Sequence, residues 1–185
     1  MIAPNGPHST TTPSTSTCPL LDRGVATKTE PRKKKPIFIE LFAGTALLSK
    51  AVERVGVEVA TPEDISSGGV DFTDAQAVRT LWERWQSLVG EGYELYFHMA
   101  PPCSSFSRAR DRSRATRLRS LANPEGLYPG ELKTMTGNQI AQQTLASLKY
   151  LVGELAARGT VEQPAGSYLM PYWEKLGLDG LEFET

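Results

Sequence analysis

The chain has 185 residues, of which 39% are hydrophobic and 22% are charged, values typical of one globular domain with a short extension. Its two cysteines and two histidines are too few for a disulfide framework or a clustered zinc site. No apolar run approaches the roughly 18 residues that a transmembrane helix requires, and we expect an intracellular protein. The net charge of −1 conceals a basic stretch at 108–119, with six arginines and one aspartate.

The first 35 residues are predicted to form a disordered tail. They are rich in Ser, Thr and Pro and show no hydrophobic periodicity, which is typical of segments that cannot bury a core. The tail ends in a basic run, Arg32–Lys35. One interpretation of this run is a solvated stretch of charge. The other is a nuclear import signal or a nucleic-acid-binding arm, which would place the protein in the nucleus of a eukaryotic cell.

Strand and helix patterns alternate along residues 36–185, which we predict to form one folded domain. Short apolar runs indicate strands, and apolar residues at helical spacing indicate helices. Thr73 and Gln76 fit a capping box at the start of the second helix. The alternation favours an α/β domain with a parallel sheet of about five strands and flanking helices. Strands are predicted at 37–42, 57–61, 93–99 and 160–162, and helices at 47–55, 74–90, 138–157 and 171–176.

The ends of the first two predicted strands together indicate a nucleoside site, because ligands of parallel sheets bind beyond the carboxyl ends of the strands. Gly44 permits a tight turn into the first helix, although the sequence has neither a GxGxxG fingerprint nor a phosphate loop. Asp64 follows the second strand and suits the two hydroxyls of a ribose. The alternatives are an ordinary strand–turn–helix and a loop acid or helix cap. An adenosine-containing cofactor without a diphosphate, such as S-adenosylmethionine, fits the pair.

A candidate nucleophile and a candidate acid follow the third and fourth predicted strands. Pro101 and Pro102 stiffen the loop that presents Cys103, and the arginines downstream favour its thiolate. A small buried hydrophobic residue is the alternative interpretation of this cysteine. Glu162 ends the fourth strand, where a carboxylic acid beside a thiol can hydrogen-bond or protonate a ring nitrogen and make the ring carbon electrophilic.

The segments FAGTALLS, APPCSSFSRAR and VEQP, in this order, resemble the cytosine-C5 DNA methyltransferases. The resemblance implies a Rossmann-like fold that binds S-adenosylmethionine and methylates a cytosine flipped out of DNA. It implies that Cys103 attacks C6 of the base and that Glu162 contacts N3 and the exocyclic amine. Asp64 would take the ribose, and Asp71 would lie near the adenine. The other cofactor-binding residues that it implies are Phe42, Ala43, Gly44, Thr45 and Pro101.

The same resemblance assigns the basic stretch to DNA. At this point of the chain the family has a mobile loop that closes over the flipped base, so contacts to phosphates are implied. The residues expected to make them are Ser107, Arg108, Arg110, Arg112 and Arg114.

Several features depart from the family pattern. Ser104 stands in place of Gln, Gln163 in place of Asn, and Thr45-Ala46-Leu47 where a pair of glycines is common. The family continues with an arginine-containing strand, a target recognition domain and a C-terminal helix, so we expect a second chain or segment to supply these parts. The alternative function is a catalytically inactive remnant that binds cofactor, nucleic acid or protein. A cysteine-dependent enzyme of another α/β class is a third, although neither His98 nor His8 is placed to serve as its base.

Overall fold

Four parallel strands form one sheet within residues 34–178, the part of the chain that the computed structural model describes. The predicted tail lies almost entirely outside these residues, as do Arg32 and Lys33 of its basic run. The strands are β1 (Lys35–Leu41), β2 (Glu58–Val59), β3 (Tyr93–Met99) and β4 (Arg158–Val161), and the α-helices are α1 (Leu47–Arg54), α2 (Ala75–Gly90), α3 (Leu132–Lys149) and α4 (Leu169–Lys175). Short 3₁₀ turns cover Ile65–Ser67 and Arg108–Arg112, and a π-helical turn at Tyr150–Glu154 follows α3.

The two long strands, β1 and β3, lie at the centre of the sheet, whose order is β2-β1-β3-β4. They pair along their whole length, from Lys35 opposite Tyr93 to Leu41 opposite Met99. All neighbouring strands are parallel, so their carboxyl ends meet at one edge of the sheet. The predicted parallel α/β architecture with flanking helices is therefore confirmed. The described residues contain four strands where about five were expected.

The hydrophobic core lies against one face of this sheet. Alternate residues of β1 and β3 are buried, as the two-residue period of a strand requires, and α2 and α3 supply the facing side chains. Trp173 of α4 joins the same core, where its indole N–H donates to the backbone oxygen of Ala141 at 2.9 Å. No helix within residues 34–178 is both long and apolar enough to cross a membrane. The central buried residues are Ile37, Ile39, Leu41, Val78, Leu81, Trp85, Leu95, Phe97, Met99, Ala141, Leu145 and Leu148.

A buried carboxylate on β1 holds the first turn of α1. Ala46 precedes this helix and has no polar side chain to cap it, and Glu40 Oε2 instead accepts the N–H of Ser49 at 2.8 Å. The apolar residues that predicted this helix are largely exposed: Leu47 is 70% exposed and Val55 is 77% exposed. Ser49 is the buried residue of α1, so a polar contact rather than an apolar stripe seats the helix on the sheet.

Three helices begin away from their predicted positions, among them α4, which begins at Leu169 rather than at Pro171. Asp74, rather than Thr73, caps α2 by accepting backbone N–H groups of its first turn. The hydroxyl of Thr73 instead donates to Asp71 at 2.8 Å. α3 begins at Leu132, six residues earlier than predicted, because the Glu131 carboxylate caps its first turn. A cap made by a glutamate is a weak signal in a sequence, since Asn, Asp, Ser and Thr are the residues preferred there.

Candidate functional site

A cleft of about 850 Å³ opens at the carboxyl ends of β1 and β2. The turn from β1 to α1, the loop that follows β2 and one face of α2 enclose it. Four of the predicted cofactor residues line this cleft, whereas Phe42, Asp64 and Pro101 are not among its lining residues. The residues that line it are Ala43, Gly44, Thr45, Ala46, Thr61, Pro62, Glu63, Ser67, Gly68, Gly69, Val70, Asp71, Ala77, Thr80 and Arg84.

The turn from β1 to α1 has a backbone that ordinary residues avoid. Phe42, Gly44 and Ala46 have φ angles of 60°, 53° and 53°. Glycine adopts this left-handed region freely, but each of the other two residues costs about 1–3 kcal/mol there. Strain of this kind concentrates at ligand-binding sites, where the surrounding structure maintains it. The turn forms one wall of the cleft.

Replacing Ala46 with glycine is expected to stabilise the protein by about 0.5–1 kcal/mol. Removing Cβ relieves a left-handed penalty of about 1–2 kcal/mol, and the greater freedom of glycine in the unfolded chain offsets about 0.4–1 kcal/mol of that gain. Ala51→Gly, at an exposed helical position of α1, is the matched control and is expected to destabilise by about 0.5–1 kcal/mol. Urea unfolding measures both changes, and a loss of stability in Ala46→Gly would contradict the assigned strain.

The two predicted acids, Asp64 and Asp71, each hold the local backbone. Asp64 accepts the N–H of Gly44 at 2.9 Å and both the N–H and the hydroxyl of Ser66. These bonds, that of the Ser66 hydroxyl first, keep the pKa of Asp64 below its usual range. Their stabilisation is present at neutral pH and is lost as the pH falls through that lowered pKa. Asp71 accepts the N–H and hydroxyl of Thr73, each at 2.8 Å.

A third acid, Glu63, lines the cleft and was missed in the sequence. Its side chain is 5% exposed, and its carboxylate forms an ion pair of 2.9 Å with Arg84 of α2. Its second oxygen accepts the N–H of Val70 at 3.0 Å. A bridge between Glu63 and Leu41 extends the pairing of β1 beyond β2. The sequence does contain the adjacent acids Glu63 and Asp64, but only Asp64 was predicted to bind the cofactor.

The loop after β3 is folded around the carbonyl of Cys103. This oxygen accepts the N–H groups of Phe106 at 2.9 Å and Ser107 at 2.8 Å, and the cysteine itself is half-buried. Gln163, after β4, donates from Nε2 to the carbonyl of Pro101 at 3.0 Å. The Pro-Pro-Cys loop and the segment after β4 are therefore neighbours at the carboxyl edge of the sheet, as predicted from the parallel topology.

Arg119, the last residue of the basic stretch 108–119, is the central anchor of this loop. It is 1% exposed, and its guanidinium lies 3.6 Å from the centroid of the Phe106 ring. Burial lowers its pKa to about 10, which keeps it charged at neutral pH. Its N–H groups donate to Ser105 O, Ser105 Oγ, Pro124 O, Thr134 O and Asn138 Oδ1, at 2.6–3.2 Å.

The side chain of Glu162 lies beside His98. The Glu162 carboxylate is 74% exposed and is 3.7 Å from Nε2 of His98. The other ring nitrogen of His98 is 2.8 Å from Oγ1 of Thr160. The segment after β4 is tied to the cysteine loop by Gln163, which donates to the carbonyl of Pro101, and by the N–H of Tyr168, which donates to the carbonyl of Phe106 at 2.9 Å. The catalytic roles of Cys103 and Glu162 stay predictions.

Two residues at the start of the arginine-rich segment, Arg108 and Asp111, contact Tyr168 of the core. Ser107 caps the turn Arg108–Arg112. The Arg108 guanidinium lies 5.4 Å from the ring centroid of Tyr168, whose hydroxyl donates to Asp111 at 2.5 Å. Burial, followed by the hydrogen bond to Asp111, raises the pKa of Tyr168. Of the other predicted DNA contacts, Arg110 donates to Thr116 O, and Arg112 and Arg114 are exposed.

No protein-family model, curated protein or solved structure matches the chain. Within residues 34–178 no group of three or more His, Cys, Asp or Glu side chains is arranged to hold a metal ion. The carboxyl edge of the sheet carries a strained turn, four carboxylates, a thiol and several guanidinium groups.

Proposed function

We propose that the chain is an S-adenosylmethionine-dependent methyltransferase domain that acts on C5 of cytosine in DNA. The observation that supports this proposal is the convergence of four segments at one edge of the sheet. They are the Gly44 turn, the acids after β2, the Cys103 loop and the segment that follows β4, which contacts the cysteine loop through Gln163 and Pro101. The order of these segments is also the order in which the sequence resembles the cytosine-C5 family.

The cleft fits a nucleoside cofactor in size and chemistry. Its volume lies within the range of about 300–1,000 Å³ that small-molecule sites occupy. Glu63 lines the cleft and supplies carboxylate oxygens for a ribose diol. Asp71 also lines the cleft, nearer α2, and supplies carboxylate oxygens for an adenine. Asp64 holds the Gly44 turn in position. We propose these residues, with Ala43 and Thr45, as the cofactor-binding set.

The proposed chemistry is a covalent addition to the base. The Cys103 thiolate forms a bond to C6 of cytosine, and the electron pair of the 5,6 double bond moves into the ring and makes C5 nucleophilic. Glu162, as a carboxylic acid, donates a hydrogen bond or its proton to N3 and so stabilises the charge that develops in the ring. S-adenosylmethionine, when bound, supplies an electrophilic methyl group. C5 would take that methyl group, with S-adenosylhomocysteine as the leaving group. Water then accepts the proton from C5, and the electron pair of the C–H bond restores the 5,6 double bond and expels the Cys103 thiolate.

DNA is the proposed substrate because exposed cations lie along the segment that follows the cysteine loop. Arg112 and Arg114 are exposed and free of the packing that holds Arg108 against Tyr168. Guanidinium groups bind phosphates through charge-assisted hydrogen bonds, and such binding weakens as salt displaces it. The target base must leave the stack to reach a thiol at the edge of a sheet.

Titration with S-adenosylhomocysteine by calorimetry tests the cofactor half of the proposal. We expect binding, and ligand at about 100 times its Kd is expected to stabilise the fold by about 2.7 kcal/mol in thermal unfolding. Asp64→Ala is expected to weaken binding by about tenfold or more, because it releases the Gly44 turn that the ligand contacts. Glu83→Ala, an exposed position of α2 away from the cleft, is the matched control. A folded wild-type protein that does not bind would contradict the proposal.

A cofactor- or partner-binding remnant without turnover is the second candidate function. Three observations favour it: Cys103 is not among the residues that line the cleft, Glu162 faces His98, and the apolar residues of α1 are exposed. An exposed apolar patch is typical of a surface that another chain or segment covers. This candidate predicts no methyl transfer to any DNA, and its cofactor-binding form also predicts binding of S-adenosylhomocysteine.

A further inference from the structure

Glu63 can accept hydrogen bonds from ligand hydroxyls only if its carboxylate stays oriented toward the cleft. Its side chain is 5% exposed, and within the described residues its two oxygens have one partner each, Arg84 and the N–H of Val70. The loop after Glu63 packs tightly on it. A Cβ at Gly69 would lie 2.6 Å from the backbone nitrogen of Asp64 and 3.0 Å from Glu63 Oε2. The carboxylate is therefore fixed from the loop side by backbone and from the helix side by one cation.

Arg84 is that cation, and it contacts both the cleft and the Glu63 carboxylate. It projects from α2, lines the same cleft and is 51% exposed, with Nη2 at 2.9 Å from Glu63 Oε1. A nearly buried carboxylate that loses its counter-ion is left uncompensated, which is costly. Without Arg84, we expect the Glu63 carboxylate to rotate toward water or toward other hydrogen-bond donors. Outer partners of this kind orient a binding group without touching the ligand themselves.

We infer that Arg84 is a positioning residue for the nucleoside: by holding the Glu63 carboxylate, it sets the preference of the cleft for a ribose diol over a deoxyribose. This inference rests on the proposed function, in which the cleft binds an adenosine-containing cofactor. A carboxylate accepts hydrogen bonds from two neighbouring hydroxyls at once, and a sugar that lacks one hydroxyl leaves part of that capacity unused. The discrimination therefore depends on the carboxylate keeping one orientation.

The test compares Arg84→Met with Arg84→Lys and with Arg79→Met. Arg79 lies on the same helix outside the cleft lining, where it donates to Gln76, so Arg79→Met is the matched control. Calorimetry with S-adenosylhomocysteine, adenosine and 2′-deoxyadenosine gives the affinities, and thermal unfolding confirms that each variant is folded. Arg84→Met is expected to weaken S-adenosylhomocysteine by about tenfold to 100-fold, the range for hydrogen bonds to a charged group. It is also expected to reduce the preference for adenosine over 2′-deoxyadenosine, which Arg84→Lys should partly restore and Arg79→Met should leave unchanged.

A double-mutant cycle with Glu63→Gln separates positioning from direct contact. If Arg84 acts through Glu63, adding Arg84→Met to Glu63→Gln changes the affinity for S-adenosylhomocysteine by less than about twofold. An equal loss in both backgrounds would overturn the inference, and so would unchanged affinity and sugar preference in Arg84→Met; both outcomes leave the proposed function intact. Failure of the folded wild-type protein to bind S-adenosylhomocysteine or adenosine would overturn the proposed function itself, and the inference with it.

Discussion

Replacing Arg119 with methionine is expected to lower the free energy of unfolding by about 3–5 kcal/mol, the cost of breaking a buried charged network. The guanidinium is 1% exposed and donates to five neutral oxygen acceptors. Methionine fills much of the volume but leaves those acceptors buried without donors, and each such orphan costs about 1–3 kcal/mol before the site relaxes. Two of the acceptors belong to Ser105, so the variant also loosens the loop of Cys103.

Thermal and urea unfolding measure this loss, which for a domain of this size corresponds to a decrease in Tm of about 10 °C. Arg119→Lys is expected to recover only part of the stability, because an ammonium has three donors and lacks the planar fork. Arg114→Met, at an exposed position of the same segment, is the control and is expected to change stability by less than about 0.5 kcal/mol. Equal effects of Arg119→Met and Arg114→Met would show that the buried network does not anchor the loop.

The Cys103→Ser variant is expected to lose methyl transfer to DNA by a factor on the order of 10⁴ or more, as removal of a covalent nucleophile does in other enzymes. A serine hydroxyl is far less nucleophilic than a thiolate when no base activates it. Binding of S-adenosylhomocysteine is expected to stay unchanged, because Cys103 does not line the cleft. Transfer of a radiolabelled methyl group to cytosine-containing duplex DNA measures the activity.

Ser104→Ala is the matched control, because Ser104 is the exposed neighbour of the nucleophile in the same loop. We expect its methyl transfer to stay within a few-fold of the wild type. Two results would contradict the role of Cys103: retention of activity in Cys103→Ser, or an equal loss in Ser104→Ala. Absence of activity from the wild-type protein, together with intact cofactor binding, would instead favour the remnant without turnover.

The architecture could be predicted because it follows from the spacing of apolar residues and from the order of strands and helices along the chain. The alternating buried residues of β1 and β3 are visible as short apolar runs, and parallel topology then brings the strand ends together. The Cys103 loop and the segment after β4 were placed at one edge by this rule alone. One contact that joins them, from Gln163 to Pro101, depends on side-chain geometry that no period encodes.

The burial of individual charged residues could not be predicted. Arg119 is one of six arginines within 12 residues, and nothing in their spacing shows that this one turns inward onto Phe106. Glu63 and Asp64 are adjacent acids. Which of their two side chains lines the cleft depends on the backbone conformation at the end of the short strand β2. Apolar spacing predicted α1 correctly as a helix, but it did not predict which face is buried: Leu47 is exposed, and the buried residue is Ser49, whose N–H donates to Glu40.

The most direct test of the central claim is mass spectrometry of the 185-residue chain after incubation with 5-fluorocytosine-containing duplex DNA and S-adenosylmethionine. Fluorine at C5 cannot leave as a proton does, so an enzyme that attacks C6 stays covalently attached to the base. We predict a species with the combined mass of protein and oligonucleotide, with the link mapped to Cys103 and absent from Cys103→Ser. Wild-type protein that binds S-adenosylhomocysteine but forms no adduct with this DNA would contradict the proposed nucleophile and leave a cofactor-binding domain without this chemistry.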